Sequence, residues 1–191
     1  MSAPATHPPA QPRVTWPQAL VTLGGTVGLF LLGGVVCAVV WAAVVEPPTY
    51  PADLPRFAGR PIPTGEGLDR TFNIDATFFL TAGAGAVVLG ASSAALFRRH
   101  GVVTVVAVLL GSVAALLTMR YLGVGLGPEA LTAQARGAGA HATLLSPLRV
   151  QATGVYFAWP VGALAGAMAA LWALAPDTPA PSQAPRADRL R

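Results

Sequence analysis

The apolar runs in this chain are too long for the core of a small water-soluble domain. From Gln18 to Val45 no charged residue occurs in 28 positions. Wound as a helix at ~1.5 Å per residue, such a run reaches ~42 Å, more than the ~30 Å hydrocarbon core of a bilayer. A second charge-free run covers Thr77 to Phe97 and a third covers Val102 to Met119, with Arg98-Arg99-His100-Gly101 between them. A fourth apolar stretch extends to Ala175 and holds only Arg149, near its start. Hydrocarbon offers backbone groups no water, so segments of this kind are stable there as helices that bond internally. The pattern predicts an all-α membrane protein, a four-transmembrane-helix bundle with spans at about 18–45, 77–97, 102–121 and 147–175.

Composition agrees with that reading. Hydrophobic residues make up 53% of the chain and charged ones 10%, against about 25% charged in a soluble domain. A secretory leader has an apolar region of about 7 to 15 residues, far shorter than the first run here, so the first span is read as uncleaved. Cys37 is the only cysteine, which leaves no disulfide, CxxC pair or cysteine-rich metal site to build. The net charge of +4 comes from arginines scattered singly and not in a stripe, so nucleic acid is not an expected partner. Residues 1–15 and 176–191 are rich in Pro and Ala and read as disordered cytoplasmic tails.

Between the first two spans, Pro47, Pro48, Pro51, Pro55, Pro61 and Pro63 forbid a long helix over 46–76 and predict a Pro-rich irregular outer loop. Arg98-Arg-His100 marks a tight turn that makes the second and third spans an antiparallel pair. Pro128 opens a short interfacial helix to Arg136, and Ser146-Pro147 caps the last span, which Pro160 kinks. Gly123, Gly125 and Gly127 carry no dinucleotide fingerprint, because position 128 is proline and the run follows an apolar span. They read as left-handed turns at the exit of the third span.

With four spans the arginines divide six against six between the two faces. The positive-inside rule is strongest in short loops, so the Arg98-Arg99 turn decides the tie. Both termini are expected in the cytoplasm of a plasma-membrane protein, with the two long loops outside. Inside the spans, small residues recur at four-residue spacing: Ala82, Ala86, Gly90 and Ala94; Ala107, Gly111 and Ala115; Ala158, Gly162, Gly166 and Ala170. Lipid is as apolar as leucine, so helices in a bilayer associate through such seams, and self-association through one of them is left open.

The chemistry available is sparse. No charge lies at mid-span, which removes the usual mark of an ion-coupled carrier. Ser92, Ser93 and His100 do not compose a serine-histidine site, and His7 and His141 show no metal spacing, so no catalytic residue, metal or cofactor is expected. The one polar cluster is at the outer boundary: Asp75, Arg120, Glu129, Arg136 and Arg149. Its sharper form is an Asp75–Arg120 ion pair, or an anionic lipid or glycan site on Arg120 and Arg149. Its plainer form is a helix N-terminal acid with ordinary interface anchors.

Glu46-Pro-Pro, Ala76-Thr-Phe-Phe-Leu80, Arg98-Arg-His-Gly101, Leu122-Gly-Val-Gly-Leu-Gly-Pro128, Ser146-Pro-Leu-Arg-Val150 and Trp159-Pro160 together resemble an actinobacterial family of four-span membrane proteins that carries a domain of unknown function. The likeness covers about residues 18–175. It implies the architecture and brings no activity, cofactor or site residue. The expected role is a non-catalytic accessory or scaffold subunit whose partners are the lipid bilayer and another membrane or envelope protein. A small-solute transporter or channel working as an oligomer is the alternative, and an enzyme of envelope lipid or sugar comes third.

Overall fold

In the computed structural model, residues 15–51, 65–131, 133–134 and 143–175 are described. Helix α1 spans Trp16–Val44. Its start is set locally, since the Gln18 side chain accepts the Thr15 backbone N–H at 3.2 Å and Pro17 occupies the first turn, where its missing N–H is not needed. Glu46-Pro47-Pro48 ends it. Strand β1, Thr49–Pro51, follows. The proline-rich stretch from residue 52 to 64 lies outside the described residues, so the expected irregular loop is not addressed there.

Helix α2 spans Gly65–Phe97, twelve residues earlier at its start than the expected second span. Hydropathy marks where a helix enters hydrocarbon, whereas the helix itself begins as soon as the prolines stop at Pro63. A 3-10 turn at Arg98–His100 and Gly101, with φ of 49°, reverse the chain into helix α3, Val102–Leu126. Only glycine adopts that backbone readily. The Thr104 hydroxyl donates to the Phe97 carbonyl at 2.8 Å across the reversal.

Gly123 and Gly125 are not the exit turn that the sequence suggests. Both lie within α3, and Gly127 just beyond it is extended, with φ of −79° and ψ of 178°. Gly123 is small because α1 comes close: a Cβ there would lie 2.6 Å from the Trp41 ring. Past Pro128, helical residues appear at Leu131, Ala133 and Gln134. Strand β2, Thr143–Leu145, pairs antiparallel with β1, Thr49 opposite Leu145, and the Ser146 N–H extends the ladder to the Pro48 carbonyl at 2.8 Å. This ribbon, the one departure from helix among the described elements besides turns, ties the two loops together.

The last helix also differs from expectation. Residues 146–152 are non-helical, a 3-10 turn covers Thr153–Phe157, and helix α4 spans Ala158–Ala173. Pro160 is therefore in the first turn of α4, where it disrupts no intrahelical bond, and not in the middle of a longer helix that it would kink. All four helices, taking α4 with the turn before it, are long and apolar enough to cross a membrane.

The helices alternate in direction. The heaviest packing joins α1 to α3 and α2 to α4, so the closest pairs run parallel, and the ring order is α1, α3, α4, α2. Helices α2 and α3, consecutive in sequence, thus face each other across the bundle and are not close neighbours. At the α2–α4 contact, a Cβ on Gly90 would collide with the Ala163 carbonyl and one on Gly166 with the Val87 carbonyl, while Gly162 lies 3.0 Å from the Ala86 methyl by the same construction. At the α1–α3 contact, a Cβ on Gly111 would come within 2.9 Å of the Phe30 ring. Phe30 and Trp159 fill the centre, ring centroids 6.3 Å apart and both wholly buried. The outward faces are apolar along every helix, with Leu20, Leu32, Val88, Leu110 and Met168 exposed.

Candidate functional site

Two ends of the bundle carry its polar chemistry. One holds the Arg98–His100 reversal and is called the turn face below. The other holds β1, β2 and the segments around them and is called the loop face.

At the loop face, Asp75 is ten residues inside α2, so it is not a helix N-terminal acid. Its carboxylate oxygens accept the backbone N–H groups of Gln151 at 2.9 Å and Ala152 at 3.0 Å. Those amides belong to the exposed, non-helical approach to α4, where no ladder or helix satisfies them and the carboxylate takes the place of water. Asp75 therefore holds the 146–152 segment against α2. Leu148 holds it from the other side. It is almost wholly buried, and a Cβ on Gly127 would lie 2.8 Å from its side chain, so glycine at the end of α3 makes room for it.

Arg120, on α3, does not meet Asp75 among the described residues. Its guanidinium lies over the Tyr156 ring at 5.1 Å and the Tyr121 ring at 5.7 Å, within range of a cation–π contact. Tyr156 in turn meets Phe78 edge to face at 6.1 Å, and Phe78 meets Trp41 edge to face at 5.1 Å. The Trp41 indole N–H donates to the Ile74 carbonyl at 3.3 Å. A continuous row of rings and one cation thus links α3, the approach to α4, α2 and α1. Aromatic pairs in these geometries add about 0.5–1.5 kcal/mol each beyond their burial.

Glu129 contributes through its backbone. Its carbonyl accepts from the Gln134 amide at 2.6 Å, while the Gln134 side chain also donates to the Leu145 carbonyl at 2.8 Å and accepts the Leu145 N–H at 2.9 Å. Gln134 so ties the segment after α3 to β2. Arg149 is exposed and lies in the clamped segment, whereas Arg136 and His141 are outside the described residues. Trp41, Phe78, Gln134, Leu148 and Tyr156 carry as much of this face as the charged residues that the sequence pointed to. Only their aromatic or amide character at span ends hinted at it.

At the turn face, the Thr22 hydroxyl donates to the Gln18 carbonyl at 2.9 Å and lies 3.1 Å from Nδ1 of His100. His100 is therefore engaged with α1 and not with either serine of α2. Ser92 donates to the Val88 carbonyl at 2.8 Å. Deeper in, the Thr26 and Ser93 hydroxyls and the Trp159 indole N–H are buried without a hydrogen-bond partner. Among the described residues no three His, Cys, Asp or Glu side chains gather as metal ligands would. No family model, curated protein or solved structure matches the chain.

Proposed function

We propose that the chain is a multi-pass plasma-membrane protein that acts as a non-catalytic accessory or scaffold subunit, holding its loop face as a fixed surface for another membrane or envelope protein. The apolar outward faces of four helices support the membrane setting, since a contiguous surface of Leu, Val and Met is unstable in water and at home in lipid. The observation that carries the scaffold role is the construction of the loop face. Ribbon, Gln134 bridge, Asp75 clamp and aromatic row all serve to fix backbone in place. A surface held in one conformation loses little entropy on binding, which is what a docking platform requires.

Affinity capture of the chain from native membranes in mild detergent tests the role. One partner recovered in constant ratio, and lost when Gln134→Ala loosens the loop face, is expected. A partner-free particle of uniform size counts against it. A small-solute transporter or channel is the second reading, favoured by the unpartnered Thr26, Ser93 and Trp159 polar atoms in the interior. Flux into liposomes containing the purified chain separates the two.

A further inference from the structure

We infer that the turn face holds an anionic phospholipid, with its headgroup phosphate at Arg98 and Arg99 and its upper acyl chain in the recess between α1 and the end of α2. The inference rests on the membrane setting proposed above. The recess has a volume of about 230 Å³ and is lined by Pro17, Gln18, Val21, Thr22, Phe97 and His100. Pro17, Val21 and Phe97 give it an apolar wall suited to methylene groups. Gln18, Thr22 and His100 also line it but leave its surface almost wholly apolar, which suits an acyl chain.

Three observations choose this occupant. First, the recess is at the depth of an interface: Trp16, 84% exposed, sits at the adjoining start of α1, where amphipathic rings settle at headgroup level. Second, Arg98 and Arg99 stand between Phe97 and His100, which line the recess, and among the described residues no acid belongs to a segment at the turn face, since Glu46, Asp69, Asp75 and Glu129 belong to the loop face. Cations beside a membrane attract anionic headgroups at about a few-fold in affinity per residue. Third, the bond from His100 to Thr22 fixes the imidazole by Nδ1 against α1. Because the Thr22 hydroxyl gives its one proton to the Gln18 carbonyl, Nδ1–H of His100 donates to Thr22 Oγ1, which pins the reversal that carries Arg98 and Arg99 to α1 at the edge of the recess.

The test uses the full chain reconstituted in vesicles of equal phosphatidylglycerol and phosphatidylcholine, extracted in mild detergent, with the retained lipid counted by native mass spectrometry. Phosphatidylglycerol is expected over phosphatidylcholine by about tenfold or more. Arg98→Gln with Arg99→Gln should reduce that preference to about twofold or less, Arg98→Lys with Arg99→Lys should keep most of it, and Val21→Trp should lower retention by filling the recess. Circular dichroism of each variant shows that the helices persist. Equal retention of both lipids, an undiminished preference in the Gln variant, or displacement of the lipid by millimolar inorganic phosphate alone overturns the inference. Failure of the chain to resist carbonate extraction overturns the membrane setting instead, so the two failures are distinct.

Discussion

A carboxylate that accepts two backbone N–H groups at 2.9 and 3.0 Å has its best lone pairs committed, and Asp75 is in that position. Asp75→Asn keeps the shape but replaces one acceptor with an NH2 facing an amide, so unfolding in mixed micelles should show a loss of about 1–3 kcal/mol. Arg120→Gln removes contacts to two rings and should cost less, about 0.5–1 kcal/mol. Because each residue serves different partners, the double variant should equal the sum of the singles within about 0.5 kcal/mol, and a larger coupling would restore the ion pair. Thr26 poses the opposite case. Its hydroxyl is buried with no partner, so Thr26→Val at nearly constant volume should raise stability by about 1 kcal/mol, while Thr22→Val, which loses the bond to His100, should lower it. If Thr26→Val instead lowered stability and abolished solute flux, the hydroxyl would be serving transport.

Helix contacts made through glycine have a sharp steric signature. Gly90 and Gly166 each face a carbonyl of the partner helix, and a carbonyl cannot rotate away as a side chain can. Gly90→Ala should therefore destabilise the bundle by about 1–3 kcal/mol by forcing α2 and α4 apart, whereas Gly83→Ala, with nothing within 4 Å, should be nearly neutral or slightly stabilising. Equal melting of the two variants would remove that contact as a determinant of packing. The four apolar helices were legible because hydrocarbon imposes length and composition on any segment that is to cross it. Their ends were not: hydropathy is silent about helix outside the apolar zone, so the start of α2 at Gly65 escapes it, and Pro160 reads as a kink only for a helix that starts near Pro147 and not at Ala158. Pairing was not legible either. Small-residue stripes occur in several spans, so a stripe says that a helix meets something and not which helix. The site shared this limit, since the partners of Asp75 are 76 and 77 residues away in sequence and offer only backbone amides.

At the scale of the whole molecule, the described residues at the two ends of the bundle differ in charge: the turn face presents Arg98 and Arg99 within one 3-10 turn, while the loop face mixes Arg70, Arg120 and Arg149 with Glu46, Asp69, Asp75 and Glu129. Acids contribute little to orientation, and basic residues act most strongly when held within a short loop at the membrane. The reversal is such a loop: Gly101 closes it within a few residues, so both arginines stay at the surface and neither can be carried across with a long segment. On that asymmetry we propose that the turn face is the cytoplasmic one. A phosphatase reporter that is active only after export, fused after His100, should be inactive, and the same reporter inserted after Ser146 should be active. Arg98→Gln with Arg99→Gln would remove the residues that break a six-to-six division of arginines, so that variant should insert both ways and show partial activity at both fusion points. Full activity after His100 in the parent chain would invert the orientation, and with it the face that a partner on the outer side of the membrane meets.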